Sequence, residues 1–135
     1  KMITAKTQGV HHVGLTVPDL TPTLTFFTEA LGYEVIGEQP DYPAIFVSDG
    51  QVMITLWQAK EPNQAIPFDR FTNIGLHHLA LWVPDMKSLN QLASELAERA
   101  DTEIEFTPEP LGETGLQQMM CLIPGGVRVE FITAR

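Results

Sequence analysis

The sequence contains one nine-residue motif twice, and this repetition restricts the folds that the chain can adopt. Residues 11–19 read His-His-Val-Gly-Leu-Thr-Val-Pro-Asp, and residues 77–85 read His-His-Leu-Ala-Leu-Trp-Val-Pro-Asp. Half of a 135-residue chain is too short to bury a good core alone, so two similar halves are expected to pack together. The repeat therefore predicts one domain over the whole chain, with modules at about 9–59 and 75–135 and a linker at 60–74.

Both halves show the same order of predicted elements, a strand and a helix followed by three strands. In the first half, Thr21 suits the N-cap of the helix, Pro22 suits its first turn, and Gly32 ends it. In the second half, the helix is expected to begin near Asp85 or Ser88. The predicted strands cover residues 11–17, 33–38, 44–48, 52–58, 76–83, 103–107, 116–123 and 127–133. This order predicts an α+β fold, with two tandem βαβββ modules forming a curved mixed sheet around a cleft.

Charge and composition narrow the classes of partner. The formal net charge is −9 and the sequence pI is about 4.7. An acidic surface repels the phosphates of nucleic acid and offers no basic face to an anionic membrane. No apolar run approaches the roughly 20 residues that span a bilayer. Cys121 is the only cysteine, which excludes an internal disulfide and favours a cytoplasmic location. The expected partner is a small-molecule substrate.

The first strand of each half separates one histidine from the core residues. Side chains alternate between the two faces of a strand, so His12 shares a face with Gly14 and Thr16, opposite an apolar face. By the same alternation, His78 lies on the face that carries Trp82. These two faces are expected to line the cleft. The neighbouring His11 and His77 are interpreted as structural.

One acidic residue completes a candidate metal site. The last predicted strand places Arg128 and Glu130 on one face, and a buried carboxylate needs a partner because an unpaired buried charge is costly. Two imidazoles and one carboxylate, from His12, His78 and Glu130, are the ligand set of non-heme iron enzymes. The same set suits Zn²⁺, Ni²⁺ or Mn²⁺. We therefore expect one divalent metal ion. The alternative interpretation is a pair of hydrogen-bonded strand histidines, with Glu130 paired to Arg128.

Other side chains are expected to line the same metal-binding cleft. Alternation along the strand at 52–58 places Met53, Thr55 and Trp57 on its cleft face, where Trp82 also lies. Arg128 is a candidate for steering an anionic substrate, and a solvated strand end is the alternative. These five residues form the predicted substrate-binding set. Packing in the core is the alternative interpretation for Met53, Trp57 and Trp82.

The two motifs resemble those of a known superfamily. Residues 12–19, the following helix with its Phe-Phe pair, and the Leu-Gly-Tyr at 31–33 resemble the opening module of the vicinal oxygen chelate superfamily. Residues 124–131, Pro-Gly-Gly-Val-Arg-Val-Glu-Phe, resemble its closing strand. The superfamily includes glyoxalase I, extradiol dioxygenases, fosfomycin-resistance transferases and bleomycin-resistance proteins. The resemblance implies the paired βαβββ fold, a metal held by His12, His78 and Glu130, and a homodimer whose cleft two chains complete.

The resemblance also exposes one departure and leaves two classes of function open. The acid of the first module is expected five residues after Gly50, where this chain has Thr55. Glyoxalase I uses a carboxylate there, and a threonine cannot act as that base at neutral pH. The resemblance then implies a metal-dependent lyase, isomerase or dioxygenase that is not a typical glyoxalase I. The alternative is a metal-free binding protein of the bleomycin-resistance type, which sequesters an aromatic or cationic ligand.

Overall fold

The computed structural model describes residues 4–135, which contain eight strands and two main helices. The first module comprises β1 (His12–Val17), α1 (Leu20–Thr25, continued by a π-helical turn at Phe26–Ala30), β2 (Glu34–Gln39), β3 (Ala44–Ser48) and β4 (Met53–Gln58). A short 3₁₀ turn follows at Pro62–Gln64. The second module comprises β5 (Leu79–Trp82), α2 (Met86–Ala97), β6 (Glu103–Pro110), β7 (Gln117–Leu122) and β8 (Arg128–Thr133).

Each module forms its own four-stranded mixed sheet, and the two sheets have the same topology. Their strand orders are β1-β4-β3-β2 and β5-β8-β7-β6. The first strand of each module pairs in parallel with the last, and the other pairings are antiparallel. The predicted α+β fold with two βαβββ modules is confirmed. Neither of the helices in the described part of the chain has the length and apolar character needed to cross a membrane.

The repeated Val-Pro-Asp sequence ends a strand and begins a helix in both modules. Asp19 is the N-cap of α1, and its Oδ1 accepts a hydrogen bond from the Thr21 amide at 3.3 Å. Asp85 caps α2, and its Oδ1 accepts from the Ser88 amide at 2.8 Å. The prediction of Thr21 as the first N-cap was wrong, because Asp19, two residues earlier, is extended and its carboxylate accepts the hydrogen bond from the Thr21 amide.

Strand β6 is longer than its prediction. It reaches Pro110, three residues past the expected end at residue 107, and so includes the first part of the segment between the two predicted strands at 103–107 and 116–123. Pairing with β7 continues as far as Pro110 opposite Gln117, so backbone hydrogen bonds to the neighbouring strand extend β6 beyond its apolar residues.

The helix α1 joins the two modules into one apolar core. Phe26 and Phe27 are fully buried and belong to the same cluster as Leu89 and Leu96 of α2. The hydroxyl of Thr23 donates to the carbonyl oxygen of Pro124, in the turn before β8, at 2.9 Å. The modules therefore pack through α1 and this turn, and the faces of β1 and β5 that carry the predicted site point away from the core.

The turn at Pro124–Gly126 provides a test of this packing. A Cβ atom at Gly125 would lie 2.6 Å from Oγ1 of Thr23 and 2.8 Å from Cγ1 of Val17, and the residue has a φ of +101°. We expect Gly125→Ala to lower the free energy of unfolding by about 3 kcal/mol, through overpacking and backbone strain together. Gly126→Ala is the matched control, because its φ is +85° but nothing lies within 4 Å of its Cβ position.

Urea unfolding of both variants measures the difference. The control is expected to lose about 1 kcal/mol from backbone strain alone. Equal losses for the two variants would show that the turn does not pack tightly between the modules.

Candidate metal centre

The second module brings two of the predicted metal ligands together. Strand β5 lies beside β8 with Ala80 opposite Glu130. This register places Nε2 of His78 3.0 Å from Oε1 of Glu130. The Glu130 side chain is only 8% exposed, whereas the His78 side chain is 34% exposed. A largely buried carboxylate and a half-exposed imidazole therefore share one side of the sheet.

An ion-pair cluster lies beside these two side chains. Nε of the buried Arg128 donates to both carboxylate oxygens of Glu105, at 2.8 and 3.0 Å. Arg70, from the linker, donates to the same carboxylate at 2.9 Å. The hydrogen bond from Arg128 is the main reason why the pKa of Glu105 lies below its ordinary value. Nη1 of Arg128 lies 3.4 Å from Nδ1 of His77, so the cluster reaches the histidine next to His78.

The two consecutive histidines contact each other in the same way in both modules. Nδ1 of His77 lies 2.8 Å from Nδ1 of His78, and the same atoms of His11 and His12 are also 2.8 Å apart. The ring centroids are 5.1 Å apart in each pair. The second pair has an arginine beside it, whereas Met53 stands opposite His12 in the first sheet.

The strand register shows which residue of the first module corresponds to Glu130. Gly14 of β1 pairs with Thr55 of β4, as Ala80 of β5 pairs with Glu130 of β8. The Thr55 hydroxyl accepts a hydrogen bond from Nε1 of Trp57 at 2.9 Å and donates to the carbonyl oxygen of Val13 at 3.4 Å. The first module thus has a neutral, hydrogen-bonded side chain where the second has an acid.

Aromatic side chains surround Trp57. Its ring lies 4.6 Å from that of Tyr42 and 5.9 Å from that of Phe46. The ammonium group of Lys60 lies 5.0 Å from the Tyr42 ring. Neither Tyr42 nor Phe46 was predicted from the sequence to lie at the site. The pairing of Phe46 with Thr55 across β3 and β4 is a signal that could have identified Phe46. Tyr42 lies outside the strands, so strand pairing gives no such signal for it.

The third predicted ligand lies in the other sheet. Within residues 4–135, no group of three or more His, Cys, Asp or Glu side chains is placed to hold one metal ion. His12 is exposed, and Trp82 is 72% exposed. One chain therefore carries two separate parts of the predicted site, His12 in the first module and the His78–Glu130 pair in the second.

Cys121 is a poor candidate for a nucleophile. It is fully buried in β7. Burial, with a smaller contribution from the charge of Glu105, raises the pKa of its thiol to about 12. A buried thiol that stays protonated at neutral pH packs as a small apolar side chain.

Comparison with known proteins assigns the family. The chain belongs to the Glyoxalase/Bleomycin resistance protein/Dioxygenase superfamily, whose family model matches residues 9–131. Members of this superfamily usually bind a metal ion, and they often act as dimers on small molecules. A comparison with functionally curated proteins finds no match.

Solved structures share the fold over nearly the whole chain. A glyoxylase/bleomycin resistance protein/dioxygenase domain from Frankia sp. EAN1pec superposes with a TM-score of 0.80 at 25% identity, covering 96% of this chain and 94% of that one. Lactoylglutathione lyase from Agrobacterium tumefaciens superposes with a TM-score of 0.72 at 17% identity, covering 96% of both chains. At 17% identity, the similarity to the lactoylglutathione lyase is evidence for a shared fold only.

Proposed function

We propose that this protein is a metal-dependent enzyme that binds a small, oxygen-rich substrate through two neighbouring oxygens. The observation that carries the proposal is the 3.0 Å contact between His78 Nε2 and Glu130 Oε1 on an outward face of the second sheet. An imidazole nitrogen and a carboxylate oxygen that converge in this way are donors that suit Fe²⁺, Ni²⁺, Zn²⁺ or Mn²⁺. His12 is the proposed third ligand. A divalent ion bound there would supply Lewis acidity to the substrate oxygens.

We propose that two chains complete each site as a homodimer. His12 and the His78–Glu130 pair lie in different sheets of one chain, and β1 and β5 are both edge strands. The chain also exposes large apolar side chains in and near the linker, with Ile66 85%, Phe71 82% and Ile74 107% exposed. A single chain leaves this apolar surface in water, and association of two chains would bury it. Each cleft would then combine β1 of one chain with β5 of its partner.

The proposed substrate pocket is apolar on the side of the first module. Met53 and Trp57 are half-buried on β4, and the Trp57 ring is fixed by its hydrogen bond to Thr55 and by the Tyr42 ring. Such a surface would orient an apolar part of the substrate and exclude water from the site. Trp82 of the partner subunit would face it. Arg128 stays a candidate for binding a substrate carboxylate, although its Nε is already occupied by Glu105.

Metal content of the purified protein tests the proposal. Protein prepared without chelators and offered Fe²⁺, Ni²⁺, Zn²⁺ and Mn²⁺ in turn is expected to retain about one ion of the preferred metal per chain by elemental analysis. Uptake of none of the four would overturn the assignment of the site.

The identity of residue 55 leads to a prediction about the reaction. Thr55 is only 4% exposed, and its hydroxyl is already hydrogen-bonded and lacks the basicity to accept a substrate proton. We therefore expect weak or absent isomerisation of the methylglyoxal–glutathione adduct by the wild-type protein. Thr55→Glu is expected to raise that rate by about 100-fold, because it supplies a carboxylate base.

Thr55→Gln is the matched control for this rate measurement. It has the length of glutamate without its basicity, so it is expected to stay at the wild-type rate. Rapid turnover of the adduct by the wild-type protein would show that another group acts as the base.

A second candidate function is binding and sequestration without a metal. The cluster of Tyr42, Phe46 and Trp57 supports it, since aromatic faces bind aromatic or cationic ligands. Tight binding of such a ligand by protein that elemental analysis shows to be metal-free would favour this function over the enzyme.

We also propose a cytoplasmic location. The support is that Cys121, the only cysteine, is unpaired and that the chain therefore uses no internal disulfide.

A further inference from the structure

We infer that His77 is a positioning residue, which accepts a hydrogen bond from Nδ1–H of His78 and so leaves Nε2 of His78 free to bind the metal. The inference rests on the proposed function, because Nε2 is the atom that the metal would take. From the sequence, His77 was expected to be structural only, and in the structure its Nδ1 contacts Nδ1 of His78.

The two nitrogen atoms that meet between the histidines cannot both be donors. Nδ1 of His77 lies 2.8 Å from Nδ1 of His78, so one of them carries the hydrogen and the other accepts it. Nη1 of Arg128 lies 3.4 Å from the same nitrogen of His77. An arginine has donors only and is always charged, so it disfavours an N–H at this position. With a metal ion on Nε2, the neutral ring of His78 would carry its hydrogen on Nδ1, so His77 would be the acceptor and His78 the donor.

Arg128 is held firmly enough to set this direction. Its side chain is 9% exposed, and its Nε hydrogen bonds to both oxygens of Glu105 fix the guanidinium plane. Arg70 contacts the same carboxylate, so the negative charge of Glu105 lies between two cations. Nη1 of Arg128 is therefore held in a fixed position beside His77.

The first module lacks this arrangement. Its histidine pair has the same 2.8 Å contact, but Met53 occupies the position on β4 that corresponds to Arg128 on β8. Met53 is neutral, so the first pair has no counterpart of Arg128 at this position. The pair with the arginine lies in the module that holds the acid.

The consequence is a difference in metal affinity between variants of the two pairs. Histidine ligands generally donate their second ring N–H to an outer acceptor, and loss of that acceptor weakens metal binding by about 10- to 100-fold. His77→Phe keeps a flat ring but removes the acceptor, so its dissociation constant for Zn²⁺ is expected to rise by that factor. His77→Gln restores an acceptor oxygen and is expected to recover most of the affinity.

His11→Phe is the comparison variant, because it removes the equivalent ring from the pair that has no arginine, although His12 has the same 2.8 Å contact with His11. Its dissociation constant for Zn²⁺ is expected to rise less than that of His77→Phe, because Met53 stands where the second module has Arg128. Competition with a chromophoric chelator measures all four proteins. In zinc-loaded protein labelled with ¹⁵N-histidine, nuclear magnetic resonance is expected to show a protonated Nδ1 at His78 that exchanges slowly with water, and faster exchange in His77→Phe.

The outcomes separate this inference from the proposed function. A wild-type protein that binds no Zn²⁺, nor any of the other three ions, overturns the metal site and this inference with it. A wild type that binds Zn²⁺ with an affinity that His77→Phe leaves unchanged, or a loss in His77→Phe that His77→Gln does not recover, overturns the role of His77 alone. A Zn²⁺-bound His78 whose Nδ1 carries no hydrogen would also overturn the role of His77.

Discussion

Replacing His78 with Ala, or Glu130 with Gln, is expected to abolish the uptake of a divalent ion by this protein. The two side chains meet at 3.0 Å and supply two of the three proposed ligands, so each change leaves an ion with two protein donors at most. Metal content should fall from about one ion per chain to below about a tenth. Elemental analysis after gel filtration, with each of the four candidate metals, measures this loss.

Glu109→Gln is the matched control for Glu130→Gln. Glu109 is an exposed carboxylate on β6 of the same sheet, and its loss removes the same charge without touching the proposed site. The control is expected to retain full metal content. Circular dichroism verifies that every variant is folded. Full metal content in folded His78→Ala would show that the ion is bound elsewhere.

The repeated motif made most of the fold predictable. Val-Pro-Asp combines a β-branched strand end, a residue that stops the strand and a capping carboxylate, and it marks the same boundary at Pro18 and Pro84. Alternation along β1 also held, since Leu15 and Val17 are buried whereas Gly14 is exposed. Local patterns of this kind specify secondary structure because they depend on neighbouring residues only.

The positions of the predicted ligands relative to one another were less predictable. Alternation assigns His12 and His78 to outward faces, but it carries no information on how two sheets pack. That packing depends on contacts between distant residues, such as Thr23 with Pro124, which no local pattern shows. The contact of Arg70 with Glu105 could not be predicted for the same reason. It joins the linker to β6, and these residues are distant in the sequence.

Combining two inactive variants is expected to restore a metal site that neither has alone. If each site takes His12 from one chain and His78 with Glu130 from the other, a heterodimer of His12→Ala and His78→Ala contains one intact site and one empty of both histidines. Heterodimers purified through two different affinity tags should therefore bind about half of the wild-type amount of metal. Both parent homodimers should bind none.

A heterodimer of His78→Ala and Glu130→Gln is the control for this complementation. Both changes lie in the second module, so each of its two sites lacks one ligand and no metal should return. Recovery in the first heterodimer and not in the second requires that the site be shared between chains. If the first heterodimer stays empty while both single variants have lost their metal, all three ligands belong to one chain. His12 would then have to lie closer to His78 and Glu130 than it does in this structure, where no group of three such side chains within residues 4–135 is placed to hold one ion.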